Sequence, residues 1–156
     1  MIEIAIPGSK SLVLKHLVLD YNGTLAGDGV LLPGVRERLL VLAGKLQVHV
    51  VTADTFGQAR AELDGLPCRI HILASGNHSE AKLAYVQQLG VDACVCIGNG
   101  RNDRLMLGEA ALGVAVVQVE GASSATLLAA DIVATSIQNA LDLLLNPLRL
   151  VASLRE

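Results

Sequence analysis

Tryptophan is absent from this chain of 156 residues, phenylalanine occurs once and tyrosine twice, so aromatic side chains make up only 2% of it. A chain that is nonetheless 52% hydrophobic must build its core from Leu, Val, Ile and Ala, the composition of parallel strands buried on both faces by helices. Cysteine is scarce as well. Cys68, Cys94 and Cys96 are an odd number in a chain long enough to bury a proper core without staples. Cys94 and Cys96 fall in an apolar, strand-like run with no second cysteine or histidine pair at ligand spacing, so they read as core thiols. His16, His49, His71 and His78 form neither an HxH nor an HxxxH pattern, which argues against a histidine metal site. Basic clusters are missing too: the net charge is −3 and Lys and Arg are scattered, which leaves no footprint for nucleic acid. No uncharged apolar run reaches membrane-spanning length, and no basic region followed by an apolar stretch opens the chain. The expectation is one soluble, cytoplasmic domain over residues 1–156, with neither nucleic acid nor membrane as partner.

What is present is an alternation of strand and helix. Residues 2–6 alternate around Glu3 and Ala5 and end at Pro7-Gly8-Ser9, so residues 1–15 read as an added strand or hairpin. The run 12–19 is the next strand and ends at Asp20. Over 34–46, Val35, Leu39, Leu42 and Leu46 share a helical face. The strand 47–52 delivers Thr52, Ala53 and Asp54, and a helix from about Phe56 to residue 63 follows. A strand over 68–73 leads through Ser75-Gly76-Asn77-His78 into a helix that runs to Leu89, stopped by Gly90. The strand 93–97, the loop 98–103 and a further helix come next. Strands over 113–117 and 131–134 flank a helix around 123–128. The tail, 136–156, is Leu-rich and helical, broken at Asn146-Pro147.

The stretch with chemical content is Leu17-Val18-Leu19-Asp20-Tyr21-Asn22-Gly23-Thr24. A buried strand there delivers a carboxylate to a sheet edge, and a loop containing Gly23 follows whose N–H groups suit an anion. The competing reading is a plain hairpin with Asn22-Gly23 in a type I′ turn. Later segments bear on the choice, because the periodicity puts Asp20 and Thr24, then Thr52, then Lys82, then Asn99 and Asp103 at strand ends or helix starts. Ligands of open parallel sheets gather outside the carboxyl ends of the strands.

Together these segments resemble the haloacid-dehalogenase superfamily of phosphohydrolases, with its strand ending DxDGT, its strand ending in Ser or Thr, its Lys and its GDxxxD or GDGxND segment. Here they read Asp20-Tyr21-Asn22-Gly23-Thr24, Val50-Val51-Thr52, Lys82 and Gly98-Asn99-Gly100-Arg101-Asn102-Asp103. The resemblance implies a three-layer, Rossmann-like α/β fold with a parallel sheet and helices on both faces. It implies that Asp20 attacks a phosphoryl group to form an aspartyl-phosphate while Thr52 and Lys82 hold the phosphoryl oxygens. Mg²⁺ would be held by Asp20, the backbone carbonyl of Asn22, Asn99 and Asp103. Gly23, Thr24, Ala53 and Asn102 complete the expected substrate contacts. A hard cation with oxygen ligands and a lysine beside the transferring group suit a carboxylate nucleophile.

Two positions depart from the superfamily pattern. Asn22 stands where its phosphatases carry the Asp that acts as general acid and then base, and an amide cannot exchange protons usefully. Asn99 stands where the motif carries Asp, which removes a negative charge from the metal site. A second Asp is also missing from P-type ATPases, and the chain resembles a soluble version of their phosphorylation domain, with Gly98, Gly100, Asn102 and Asp103 preserved. The interval from Asp20 to Thr52 leaves room for one loop and one helix, and that from Thr52 to Lys82 leaves no room for a cap domain. An open site suits a small phosphorylated substrate or a phosphorylated macromolecule. It also makes a homo-oligomer plausible, with the tail after Asn146 either an interface or packed on its own domain. The functions to separate are a slow Mg²⁺-dependent phosphohydrolase or phosphotransferase, a non-catalytic binder of a phosphorylated ligand, and a receiver-like phosphoacceptor. For the last, Glu3 alone is a poor match to the acidic pair it needs. Asp28, Asp54 and His78 fall near the mouth without assigned roles.

Overall fold

The computed structural model describes residues 1–54 and 57–156. Six strands form one parallel sheet: β3 (His16–Leu19), β6 (Gln47–Thr52), β7 (Cys68–Ile72), β8 (Cys94–Gly98), β9 (Leu112–Val116) and β10 (Ile132–Ala134). Their order across the sheet is β10-β9-β8-β3-β6-β7. Helices cover both faces, as the aliphatic runs require. On one face α1 (Val35–Ala43), α6 (Ile137–Leu145) and α7 (Pro147–Leu154) bury Leu39, Leu42, Leu141, Leu144 and Leu150 against Leu17, Leu19, Val50 and Ile97. On the other, α3 (His78–Leu89) and α4 (Arg104–Glu109) set Val86, Met106 and Leu107 against Val18, Val51, Cys94 and Cys96. The three-layer α/β expectation holds. The tail packs on its own domain, and Cys94 and Cys96 are core residues whose thiols burial pushes up, Cys94 to about 11.

The first strands differ from the periodicity. The run 12–19 is continuous extended chain but serves two sheets. β1 (Ile2–Ile4) pairs antiparallel with β2 (Leu12–Leu14) in a separate hairpin, whereas β3 pairs with β6 and β8. Lys15 is the joint: its N–H donates to the Ala93 carbonyl at 2.8 Å, and its own carbonyl accepts from Gln47 N–H at 2.9 Å. Alternation determines which face a residue takes and is silent about which strand it bonds. Glu3 consequently lies in the hairpin sheet, apart from the strand edge that carries Asp20. The helix expected from about Phe56 is α2 (Gln58–Glu62), and Phe56 itself lies outside the described residues.

The Asn22-Gly23 hairpin does not form. Asn22 lacks the positive φ that a type I′ turn demands of both central residues, and the N–H groups of Thr24, Leu25 and Ala26 fold back onto the Tyr21 carbonyl. The two-residue hairpin sits further on. There β4 (Ala26–Gly27) and β5 (Val30–Leu31) are joined by Asp28-Gly29, at φ 49° and 81°, a preferred sequence for that turn. No other segment described between Asp20 and Thr52 besides this hairpin and α1 could act as a cap, and α2 with β7 fills the chain from Thr52 to α3.

One polar group lies deep in this fold. His49 is fully buried, its Nδ1 2.8 Å from the Tyr85 hydroxyl and its Nε2 3.2 Å from His16 Nδ1. Burial first, then the neighbouring His16 and Arg69, lower its pKa from 6.5 to about 4. The unfolded chain therefore takes up this proton before the native state does, so stability is full above pH 6.5 and falls as the pH drops toward 4. Urea denaturation of the wild type beside His49→Gln across that window should show a shallower loss in the variant.

Candidate active site

Leu19 lies level with Val50 on one neighbouring strand and Ile97 on the other. The next residues therefore emerge together at the carboxyl edge: Asp20 after β3, Thr52 at the end of β6, Asn99 after β8. β3 is also where strand order reverses, with β6 and β7 on one side and β8 to β10 on the other, which is where such sheets open a crevice. A cavity of about 220 Å³ lies there. Its walls include Asp20, Asn22, Thr52, Ala53, Lys82, Asn99 and Asn102, joined by Leu73, His78 and Gly100.

Lys82 forms the centre of the site. It projects from the second turn of α3, is 2% exposed, and its Nζ lies 2.7 Å from Asp20 Oδ1 and 2.6 Å from Asp103 Oδ1. Burial alone would lower the pKa of the ammonium, but the Asp20 and Asp103 carboxylates together outweigh that and push it up to about 12. Asp103 is held from behind, its Oδ2 accepting the N–H groups of Asn99 at 3.0 Å and Gly100 at 2.9 Å. Its complete burial, with Asp20 close by, raises its pKa to about 6 against the opposing pull of Lys82. The Thr24 hydroxyl lies 3.0 Å from Asp20 Oδ2 and 3.2 Å from Asn99 Oδ1, with one proton to share.

Some expected contacts take other roles. Gly23 and Thr24 were expected to turn their N–H groups toward a ligand. Instead Gly23 N–H donates to Ala26 carbonyl at 2.9 Å and Thr24 N–H to Tyr21 carbonyl at 3.2 Å, and neither residue lines the cavity. The loop closes on itself because its sharp turn is satisfied most simply by its own carbonyls. Gly23 is still required there: at φ 77°, a Cβ would run into the Asn99 amide and stand 2.6 Å from Glu120 Oε2. Asp103 is reached only through Lys82 and its own loop, and it too is absent from the cavity wall. Asn99 has both ends of its amide engaged, Oδ1 by Thr24 and Nδ2 by the Gly121 carbonyl at 3.0 Å.

Asp54 and Asp28 acquire structural roles. Asp54 Oδ1 accepts Ala59 N–H at 2.8 Å at the start of α2, and Asp28 forms the hairpin turn. A residue outside the expected set matters more. Gln118 Nε2 donates to the carbonyls of Gly23 at 3.1 Å and Thr24 at 2.9 Å, while its Oε1 accepts Ile137 N–H at 2.7 Å. It ties the loop over residues 21–26 to the start of α6. Its signal was available, since it is the first polar residue after the apolar run of β9.

Removing Lys82 strands two buried carboxylates, so Lys82→Met should lose about 3–5 kcal/mol of stability in urea denaturation. Adding Asp103→Asn to that variant should recover part of the loss, because the two changes act on one network.

No protein-family model matches the chain. It is 45% identical over 85 residues to the uncharacterized protein MJ0073 of Methanocaldococcus jannaschii, covering 52% of this chain and 91% of that protein. Among solved structures it is similar to the 3-deoxy-D-manno-octulosonate 8-phosphate phosphatase of Moraxella catarrhalis in complex with magnesium, phosphate and KDO. That match has a TM-score of 0.67 at 17% identity over 85% of this chain and 86% of the other. It is also similar to a putative haloacid-dehalogenase superfamily hydrolase, subfamily III A, of Legionella pneumophila, with a TM-score of 0.68 at 20% identity over 90% and 87%. At these identities the likeness to solved structures is one of fold. The chain therefore has the capless fold of the haloacid-dehalogenase superfamily and belongs to one family with MJ0073.

Proposed function

We propose that the protein is a divalent-metal-dependent phosphohydrolase or phosphotransferase whose nucleophile is Asp20. The observation that carries this reading is the pairing of Asp20 and Asp103 on one buried lysine beside a cavity walled by Thr52, Ala53 and Asn102. That arrangement orients a carboxylate and places a cation where phosphoryl oxygens accumulate charge. Asp20 Oδ1 is held by Lys82 and Oδ2 by Thr24, so the carboxylate is oriented before substrate arrives. It forms a bond to phosphorus as the ester oxygen leaves, giving an aspartyl-phosphate that water then cleaves. Thr52, whose hydroxyl accepts Asp54 N–H at 3.3 Å, has its own proton available for a phosphoryl oxygen.

The donor set fits a hard divalent cation. Two carboxylates already converge on one positive charge, and the other donors are amide and backbone oxygens. Among the described residues no cluster of three or more His, Cys, Asp or Glu side chains is arranged for a metal. Asp20, Asp103 and the backbone carbonyl of Asn22 would hold Mg²⁺, with Asn99 adding only a neutral amide, so the ion is bound by fewer charges than the superfamily motif supplies. When bound it neutralises charge on the transferring phosphoryl group. The magnesium and phosphate in the similar Moraxella structure support this reading.

Asn22 lines the cavity and has no proton to give. The reading therefore favours esters with good leaving groups, or acyl or nucleoside phosphates, as substrates, and slow hydrolysis. The motif's resemblance to P-type pumps is consistent with a long-lived phosphorylated Asp20. The open cavity leaves both a small phosphorylated compound and a phosphorylated macromolecule as substrates.

Turnover of an aryl phosphate should be slow in the wild type, abolished by EDTA and restored by Mg²⁺. Asp20→Asn should be inactive, and Asn22→Asp should be faster by about 10–100-fold. Inactivity of all three proteins with fold and Mg²⁺ binding intact would overturn the enzyme reading in favour of a binder of phosphorylated ligands.

A further inference from the structure

An alkoxide oxygen that leaves phosphorus needs a proton, and the water that later attacks must lose one. Asn22 can do neither. The other polar walls of the cavity are as limited: Asn99 and Asn102 are amides, Thr52 is an alcohol, Asp20 is the nucleophile, and Lys82 keeps its proton at neutral pH because the two aspartates hold it. Among the described wall residues, the one that remains with an ionisable side chain is His78, an imidazole.

Its placement suits the task. His78 opens α3 after the N-cap Asn77, whose Oδ1 accepts Glu80 N–H at 3.4 Å. Lys82 follows four residues later, so the two side chains share a helical face, with Lys82 at the carboxylates and His78 one turn nearer the mouth. The ring is half-buried and makes no hydrogen bond to another described residue. That separates it from His16 and His49, whose ring nitrogens are bonded to each other and to Tyr85. Lys82 on its own helix and Asp20 share the cavity wall with it, and Arg104 from α4 donates to the hydroxyl of the adjacent Ser79 at 3.3 Å.

We propose that His78 is the catalytic acid and base that replaces the missing aspartate. The proposal rests on Asp20 as nucleophile. In the first step Asp20 bonds to phosphorus, the P–O bond to the leaving group breaks, and that oxygen takes the proton from the His78 imidazolium. In the second, water attacks the aspartyl-phosphate, His78 takes a proton from the water, and the P–O bond to Asp20 breaks. Asp20 returns as carboxylate and His78 as imidazolium, with phosphate released.

The test compares p-nitrophenyl phosphate, whose leaving group needs no proton, with ethyl phosphate, whose leaving group does. His78→Gln should lower kcat/KM for ethyl phosphate by about 10²–10⁴ and for p-nitrophenyl phosphate by at most about tenfold. Acid-quenched His78→Gln should carry more phosphorylated Asp20 by mass spectrometry than the wild type, because the second step is slowed for both esters. Added imidazole should restore part of the rate of His78→Ala, and Asn22→Asp in the His78→Gln background should regain the lost factor on ethyl phosphate. Equal losses on both esters, without accumulated phosphoprotein and without imidazole rescue, would overturn His78 as acid and base. If Asp20→Asn is inactive in that same experiment, the nucleophile assignment survives the failure. A wild type that turns over neither ester, or an Asp20→Asn variant as active as the wild type, overturns both readings.

Discussion

A single buried ammonium holds three distant segments together. Lys82 comes from α3, Asp20 from the end of β3 and Asp103 from the loop after β8, and all meet within 2.7 Å of one nitrogen. Burying such a cluster is expensive, and an apolar substitute of equal volume is often as stable. It lies at the carboxyl edge of the sheet, beside the cavity. The rest of the site is arranged around it: the Asn99 and Gly100 N–H groups fix Asp103, and Thr24 fixes the other oxygen of Asp20.

The two asparagines change the balance of that cluster. With Asn22 and Asn99, one buried ammonium bridges two carboxylates. The asparagine at 99 also gains a structural role that a carboxylate could not fill, because its amide donates to the Gly121 carbonyl.

Support for the loop after β3 comes from behind. Gln118 reaches from the end of β9 to two of its carbonyls and to the start of α6. The loop uses its own N–H groups on Tyr21 and Ala26. The cavity wall is accordingly made of side chains such as Thr52, Lys82 and Asn102, with no cradle of backbone amides at Gly23.

Much of this was legible along the chain. Apolar runs that end in a single polar residue have to bury the run and expose its end, which located Asp20, Thr52 and Asn99 at one edge, and helical spacing located Lys82. The same logic gave the three layers and the helical tail. It missed the division of 12–19 between two sheets, the hairpin at Asp28-Gly29, the self-closed loop at Gly23 and the clamp by Gln118. Period and spacing determine which way a side chain faces, because they depend on local backbone geometry alone. Which strand, carbonyl or carboxylate it then meets depends on segments far away in sequence, and only the packed tertiary structure decides that. The sequence thus determined the residue types at the site, whereas the tertiary structure decided that one lysine bridges both aspartates and that one histidine ring at the mouth has no partner among the described residues.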